Sequence, residues 1–443
     1  MSFKFGKKGI VFISTLLLVH VVFFILATIY KRIYMGDSFE YIYEALNIKS
    51  SFFFYSGNSA LPIQPEYMTQ RQPAYPLFLL AVYLFTVNNW IVLILQNLLS
   101  VFNIYYCRKV FIRLGYHDKY DWLFLLLTIA YPAQFINANT IAPDILLQTC
   151  TLLYFGSFVQ LFQTSQARYA LFMSVALIAG FMVKPVLYPF AFIHIPLIIA
   201  VYYKQLKKQV IIAAILPLCA VLLYNYSNYT RTGKFHFSSN QSFNAIFYYY
   251  GYVGQKEGQD SATKFLQTER SNIASFPEYK NRYDFANKRG LELLSQNFFP
   301  YMAYHLKNSA RIFIEPGKGE MDLFTGRLTY GKLYSRDQSG FYSTLRNKGW
   351  GGMGGYIRDN PSMPFVLLVL IFNILRLIGL LLFFFKNPLN LHLRLFIFML
   401  LSYFAVAAGP IANTRYFLPV SLMAIGCSVM GHAGILEKRK LSQ

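Results

Sequence analysis

Residues 10–30, IVFISTLLLVHVVFFILATIY, hold no Asp, Glu, Lys or Arg. A helix of that length rises about 30 Å, the thickness of a bilayer's hydrocarbon core. Inside lipid every backbone N–H and C=O must find its partner within the protein, which leaves helices and closed barrels as spanning structures. Uncharged runs of this kind recur along the chain, so it is read as a bundle of membrane-crossing helices. With 55% hydrophobic and 14% charged residues and a mean hydropathy of +0.37, the composition is too apolar for a soluble enzyme. The formal charge of +22 does not call for nucleic acid. In a membrane protein Lys and Arg gather in loops kept on the cytoplasmic side and meet anionic headgroups. The 35 tyrosines and 43 phenylalanines fit interfacial belts and lipid-facing bulk, and equally a lining for sugar or polyprenyl chains.

Basic clusters set the expected topology. Lys4/Lys7/Lys8, Arg108/Lys109/Arg113, Arg168, Lys204/Lys207/Lys208, Lys386/Arg394 and Lys438/Arg439/Lys440 stand at the ends of apolar runs. Holding all of them in the cytoplasm predicts spans near 10–30, 90–107, 121–137, 142–162, 168–187, 189–203, 209–226, 362–385, 395–408 and 416–433, with both termini inside. The first run, with no small-residue cleavage site after it, reads as a retained signal anchor. Residues 73–88, PAYPLFLLAVYLFTVN, are read as a helix dipping into the outer leaflet or a short span, giving an all-α polytopic protein of about 10–11 transmembrane helices. The expected organisation is a transmembrane module, 1–226, with an outer first loop at 31–72; an outer helical and loop segment, 227–361; and C-terminal transmembrane helices, 362–443. In the outer segment 262–275 and 284–314 have helical apolar spacing, and GWGGMGGY (349–356) reads as a flexible loop. Cys107, Cys150, Cys219 and Cys427 stand singly, without metal or redox spacing.

The topology puts a set of sequence-remote ionisable residues on one side. Asp37, Glu40, Glu44, Glu66, Arg71, Asp144, Lys184 and Arg415 all fall on the outer face, at or near span ends. Charges at such depth are costly unless they face a cavity and pair. Each also has a bland local explanation. Asp37 with Glu40 has the spacing of a capping box. Arg71, before Pro73 and Pro76, fits a snorkelling interfacial arginine, Asp144 an N-cap, Lys184 before Pro185 a helix C-terminus, and Arg415 an interfacial anchor. His236 and His305 lie in the outer segment without ligand spacing and are read as surface or core residues.

Taken in order, the stretches MGDSFEY (35–41), RQPAYP (71–76), PDILL (143–147), KP (184–185), NYSNYTRTGKFHFSSNQSFNAIFY (225–248) and RYFLP (415–419) resemble the GT-C superfamily of integral-membrane glycosyltransferases. The nearest branch is the bacterial one holding protein O-mannosyltransferases and lipid A aminoarabinose transferases. The resemblance implies a GT-C-like core and a polyprenyl-phosphate-linked sugar donor. It also implies inverting transfer to a lipid, glycan or protein acceptor on the outer, periplasmic face of a bacterial inner or plasma membrane. Asp37 matches the family's first-loop base. Arg71, Lys184 and Arg415 are the candidate phosphate-binding cations, with the carboxylate expected on the acceptor side and the cations on the carrier side. Glu40, Asp144 and Tyr248 are candidates for binding sugar or acceptor or for orienting the base. Two departures stand out. The Asp-Ser-Phe-Glu run at 37–40 replaces the adjacent acidic residues of many relatives, so no metal and no cofactor is assigned. Lys-Pro at 184–185 replaces the commoner Arg-Pro and offers a point charge instead of a fork. A lipid-linked glycan ligase or polymerase is the chemically near alternative. A transporter or flippase is a further one, though no paired internal repeat is evident.

Overall fold

The computed structural model describes residues 7–202, 208–328 and 349–441. Of the basic clusters used for topology, Lys4, Lys204 and Lys207 lie outside the described residues, as do the side chains of Lys7, Lys8, Lys438, Arg439 and Lys440. Among the described residues the secondary structure is helical throughout, without a strand. The protein is an all-α polytopic membrane protein.

Among the described residues seven helices are long and apolar enough to cross a bilayer: Gly9–Tyr30, Asn89–Arg113, Asp144–Thr164, Lys208–Thr232, Met363–Lys386, Leu391–Ile411 and Thr414–Gly434. Three shorter apolar helices, Ala74–Tyr83, Ala167–Val183 and Phe190–Val201, accompany them. In chain order the helices are α1 (Lys7–Tyr30), α2 (Ser38–Ser51), α3 (Ala74–Tyr83), α4 (Asn89–Arg113), α5 (Asp121–Ile129), α6 (Ala133–Ala138), α7 (Asp144–Thr164), α8 (Ala167–Val183), α9 (Phe190–Tyr202) and α10 (Lys208–Thr232). Then come α11 (Gln241–Glu257), α12 (Gln259–Ala274), α13 (Tyr279–Gln296), α14 (Phe298–Arg311), α15 (Lys318–Phe324), α16 (Met353–Asp359), α17 (Met363–Lys386), α18 (Leu391–Ala408) and α19 (Thr414–Leu441).

Two sequence expectations change. The span foreseen at 121–137 is two short helices, α5 and α6, broken at Tyr131-Pro132, because a proline lacks the N–H and disfavours helix at the residue before it. GWGGMGGY is not all loop, since Trp350–Gly352 form a 3₁₀ turn and α16 begins at Met353. The turn near 138–143 is buried through Asn139, Thr140, Ile141 and Ala142. The first loop clamps it, with Ile141 N donating to Ile33 O at 2.8 Å and Ser38 Oγ to Ile141 O at 2.6 Å.

α7 and α19 are the most enclosed spans, whereas α1 and α10 keep most side chains facing outward. The central pair is held by polar side chains that lipid could not satisfy. Gln148 on α7 donates to Leu418 O on α19 at 2.8 Å, and it exchanges hydrogen bonds with Gln134 on α6 at 2.9 Å. Asn103 on α4 donates to Gln148 at 3.1 Å. Gln134 donates to Ser100 on α4 at 2.8 Å, and Ser100 meets His20 Nε2 of α1 at 2.9 Å. This chain of bonds ties five helices together in a medium with no competing water.

α17 and α19 cross backbone to backbone through Gly379 and Gly431; a Cβ on Gly431 would fall on the carbonyl oxygen of Gly379. Small residues permit such approach, and in lipid packing replaces the hydrophobic drive. Gly431→Ala is therefore expected to destabilise the folded protein by about 1–3 kcal/mol, the usual cost of overpacking. The check is residual monodisperse protein after heating in detergent, and wild-type heat resistance would show that the crossing is not tight.

Candidate active site

Helix ends bring the predicted residues together. Asp37 immediately precedes α2, Arg71 lies just before α3, Asp144 opens α7, Lys184 ends α8, and Arg415 is the second residue of α19. Four helix N-termini, those of α2, α3, α7 and α19, thus open near one point, and each carries a partial positive charge.

The capping-box reading of Asp37 does not hold. Its side chain makes no cap bond, and the residue sits at φ −96° and ψ −3°. The carboxylate instead receives both terminal nitrogens of Arg415, Nη2 to Oδ2 at 2.9 Å and Nη1 to Oδ1 at 3.3 Å, with Arg71 Nη1 at 3.9 Å from Oδ2. Arg415 turns its Nε to Asp144 Oδ2 at 2.6 Å, and Lys184 Nζ reaches Asp144 Oδ1 at 2.9 Å. Arg71 Nε binds Glu40 Oε2 at 2.5 Å, where Gln70 also donates at 3.0 Å. The guanidinium of Arg71 lies 5.0 Å from the centre of the Tyr41 ring, and the Lys184 ammonium 4.9 Å from that of Tyr416. The expected separation of carboxylate from cations is absent. They alternate in one chain, Glu40–Arg71–Asp37–Arg415–Asp144–Lys184, because at this depth each charge needs an adjacent opposite one.

The chain is deeply enclosed: the Asp144 side chain is 1% exposed and that of Arg415 8%, against 15% for Asp37 and 17% for Arg71. Burial on its own raises the Asp37 pKa, but Arg415 and Arg71 outweigh it and hold the carboxyl well below the usual carboxylate range. For Glu40 burial wins over Arg71 and the shift is upward.

The sequence reading missed Glu320. This buried residue of α15 accepts from Arg415 N at 2.9 Å through Oε1 and from the Thr414 hydroxyl through Oε2, so it caps the start of α19. Burial pushes its carboxyl up to about 7, against hydrogen bonds from Thr414 and Arg415 that lower it. Gly317, with φ +75°, allows this contact; a Cβ there would lie 2.7 Å from Glu320 Oε2. In the sequence, GKGEMD carries no apolar periodicity around Glu320 to mark it as buried.

Two residues of the expected outer set stand apart. Glu66 pairs with Arg282, both oxygens at 3.0 Å from Nη2. Glu44 is buried with no hydrogen-bond partner at Oε2, and burial lifts it to about 8 in spite of Arg231 and Arg71. His236 is a buried residue bonded to Thr69 at 2.9 Å, and His305 bonds Val406 O at 2.9 Å. Among the described residues no three His, Cys, Asp or Glu side chains gather as a metal site would need.

Arg71, Asp144, Lys184 and Arg415 line a cavity of about 880 Å³. The rest of its wall mixes apolar residues, Leu147, Val186, Pro189, Ile193, Phe404 and Pro419 among them, with the polar Ser238, Asn240, Gln241, Asn244 and Ser402. Tyr248, whose hydroxyl donates to Ala407 O at 3.1 Å, stands between this cavity and a second of about 280 Å³ and lines both.

No protein-family model and no curated protein matches the chain. Among solved structures it is similar to the archaeal oligosaccharyltransferase AglB from Archaeoglobus fulgidus in complex with an inhibitory peptide and a dolichol-phosphate, with a TM-score of 0.46 and 11% identity. The overlay covers 96% of this chain and 51% of the archaeal one, so the chain spans about half that protein's length.

Removing Arg415 leaves three carboxylates to two cations in a dry site, with Glu40–Arg71 and Asp144–Lys184 still paired, so Arg415→Ala is expected to cost about 3–5 kcal/mol of stability. Adding Asp37→Asn should recover part of that loss, because the surplus carboxylate is gone. Thermal unfolding of both variants in detergent is the measurement, and a double variant no more stable than the single one would contradict the pairing.

Proposed function

We propose that the protein is a membrane glycosyltransferase of the GT-C type, using a polyprenyl-phosphate-linked sugar as donor. The acceptor is a cell-envelope lipid, glycan or protein on the outer face of a bacterial inner or plasma membrane, with both termini cytoplasmic. One observation carries the reading: three cations, Arg71, Lys184 and Arg415, line one cavity together with apolar surface from Leu147, Val186, Pro189, Ile193, Phe404 and Pro419. A phosphate suits the cations and a polyprenyl chain the apolar surface. Arginine forks match phosphate geometry, and clustered helix N-termini favour an anion at the same place.

In this reading the donor phosphate takes over the guanidiniums of Arg415 and Arg71 from Asp37. The carboxylate then loses the positive neighbours that depress its pKa and becomes a stronger base. An acceptor hydroxyl or amine passes its proton to Asp37 as its heteroatom bonds to the anomeric carbon. The bond from that carbon to the phosphate oxygen breaks, the electron pair stays on the phosphate, and configuration inverts. Arg71, Arg415 and Lys184 take up the charge gathering there, more effectively in a poorly hydrated site than in bulk water. Asp144 stays buried between Arg415 and Lys184 and sets their direction. Glu40 does the same for Arg71.

Asp37→Asn should abolish transfer, a loss of roughly 10²–10⁴ for base assistance alone, while polyprenyl-phosphate binding stays near normal. Full transfer by that variant removes the base assignment. The pH dependence has a definite sign. In the donor-free protein the depressed carboxyl is ionised at neutral pH, so kcat/KM for the donor, which reports the free protein, falls as pH drops through the lowered value. Arg71→Ala takes away one of the cations lowering it, so the acid limb of kcat/KM should move to higher pH and the donor requirement should rise. A limb and a donor requirement both unmoved would end the role given to Arg71.

A further inference from the structure

The smaller cavity, about 280 Å³, is built from α11, α14, the segment 315–320 and the turn at 410–413. It touches the larger one only through Phe247, Tyr248 and Ile411, and includes none of Arg71, Asp144, Lys184 or Arg415. Its polar groups have the opposite character. Glu315 and the buried Glu320 lie along one wall, Arg311 is the cation among them, and Asn413 and Gln259 add amides. Tyr250 and Tyr304 supply aromatic surface. Four glycines, Gly251, Gly254, Gly317 and Gly319, bring the backbone to the cavity's edge. At Gly251 a Cβ would fall on the Tyr304 hydroxyl, and at Gly317 it would crowd Glu320 and Thr414.

Charge decides between ligands here. Two carboxylates against one arginine disfavour a phosphate, which the larger cavity favours. Carboxylates and amides beside aromatic rings suit a ring that is hydroxylated along its rim and apolar on its C–H face. The volume falls below the usual range of drug-sized ligand pockets, about 300–1,000 Å³, which fits one sugar ring and not a chain end. The donor's own sugar is bonded directly to the phosphate and stays beside the cations, none of which reach this cavity. We propose that the cavity receives the acceptor's reacting end, a neutral pyranose whose attacking hydroxyl enters the donor cavity past Tyr248 and Ile411. This rests on the transferase reading above and narrows its acceptor to a carbohydrate.

The test uses the full-length protein in phospholipid nanodiscs and a panel of methyl pyranosides, read by saturation-transfer NMR. At least one neutral pyranoside should bind. Glu315→Gln and Tyr250→Ala, made separately, should each weaken it about tenfold, the scale of losing one hydrogen bond to a charged group or one stacking partner. Arg71→Ala should leave that sugar signal unchanged. Preloading with a polyprenyl-phosphate hexose should also leave it in place. The proposal is overturned if no pyranoside binds, if binding ignores both variants, or if the preloaded donor abolishes the signal, which would assign the cavity to the donor's sugar. Bare polyprenyl phosphate, titrated in parallel, separates the two levels of the argument. If it fails to bind the unaltered protein, the transferase reading falls; if it binds while the sugar arms fail, only the acceptor pocket does.

Discussion

The bond from Arg415 to Asp144 organises this molecule. It joins the first turn of α7 to the first turn of α19, the two most enclosed spans. Neither charge is tolerable alone at 1% and 8% exposure, so the two helix ends must meet for either to be buried. That meeting also aims what is left of the arginine. With Nε committed to Asp144, its terminal nitrogens point at Asp37 and at the head of the large cavity. Glu320 fixes the same residue from behind, through its backbone N–H. The Gln148 network one turn deeper keeps α7 and α19 in register.

A site held this way is neutralised by its own side chains. Three carboxylates, Glu40, Asp37 and Asp144, face three cations, Arg71, Arg415 and Lys184. On the proposed reading a phosphate does not meet bare positive charge here; it has to replace a carboxylate. Asp37 is the one placed to yield. It is more exposed than Asp144, and its bonds to Arg415 are the longer ones, 2.9 and 3.3 Å against 2.6 Å. Exchange at Asp37 would link donor arrival to base strength.

Much of this was legible in the chain, for reasons that differ by residue. Spans such as 10–30 and 209–226 are visible because they hold no charge over their length. Asp37, Arg71, Asp144, Lys184 and Arg415 are visible because charges at span ends are rare enough to notice and share one side of a charge-consistent topology. Local pattern misled where tertiary contacts took over. The Asp37–Glu40 spacing matches a capping box, but a guanidinium binds a carboxylate more strongly than orphan amides do, and both side chains turned away from the helix. The α5–α6 break was hidden by continuous hydrophobicity across Pro132. Glu320 had no signal at all, since its burial is created by α19, nearly a hundred residues further along the chain.

The two cavities show what the segment 227–361 adds to the bundle. Helix ends of the bundle place Arg71, Lys184 and Arg415, each paired with a carboxylate, beside apolar surface, which on the proposed reading would seat a lipid phosphate. α11 and α14, with their own apolar cluster around Ile246, Tyr249 and Tyr301, contribute a wall of tyrosines and bring Tyr248 to the boundary. The carboxylates of 315–320 face the other side of that wall. On the proposed reading, different polar groups on the two sides of one tyrosine would sort an anionic lipid from a neutral hydroxylated partner before either reaches the reacting carbon. Such sorting would depend on Arg415, because the residue whose side chain lines the larger cavity is held at its backbone by Glu320, a carboxylate of the other.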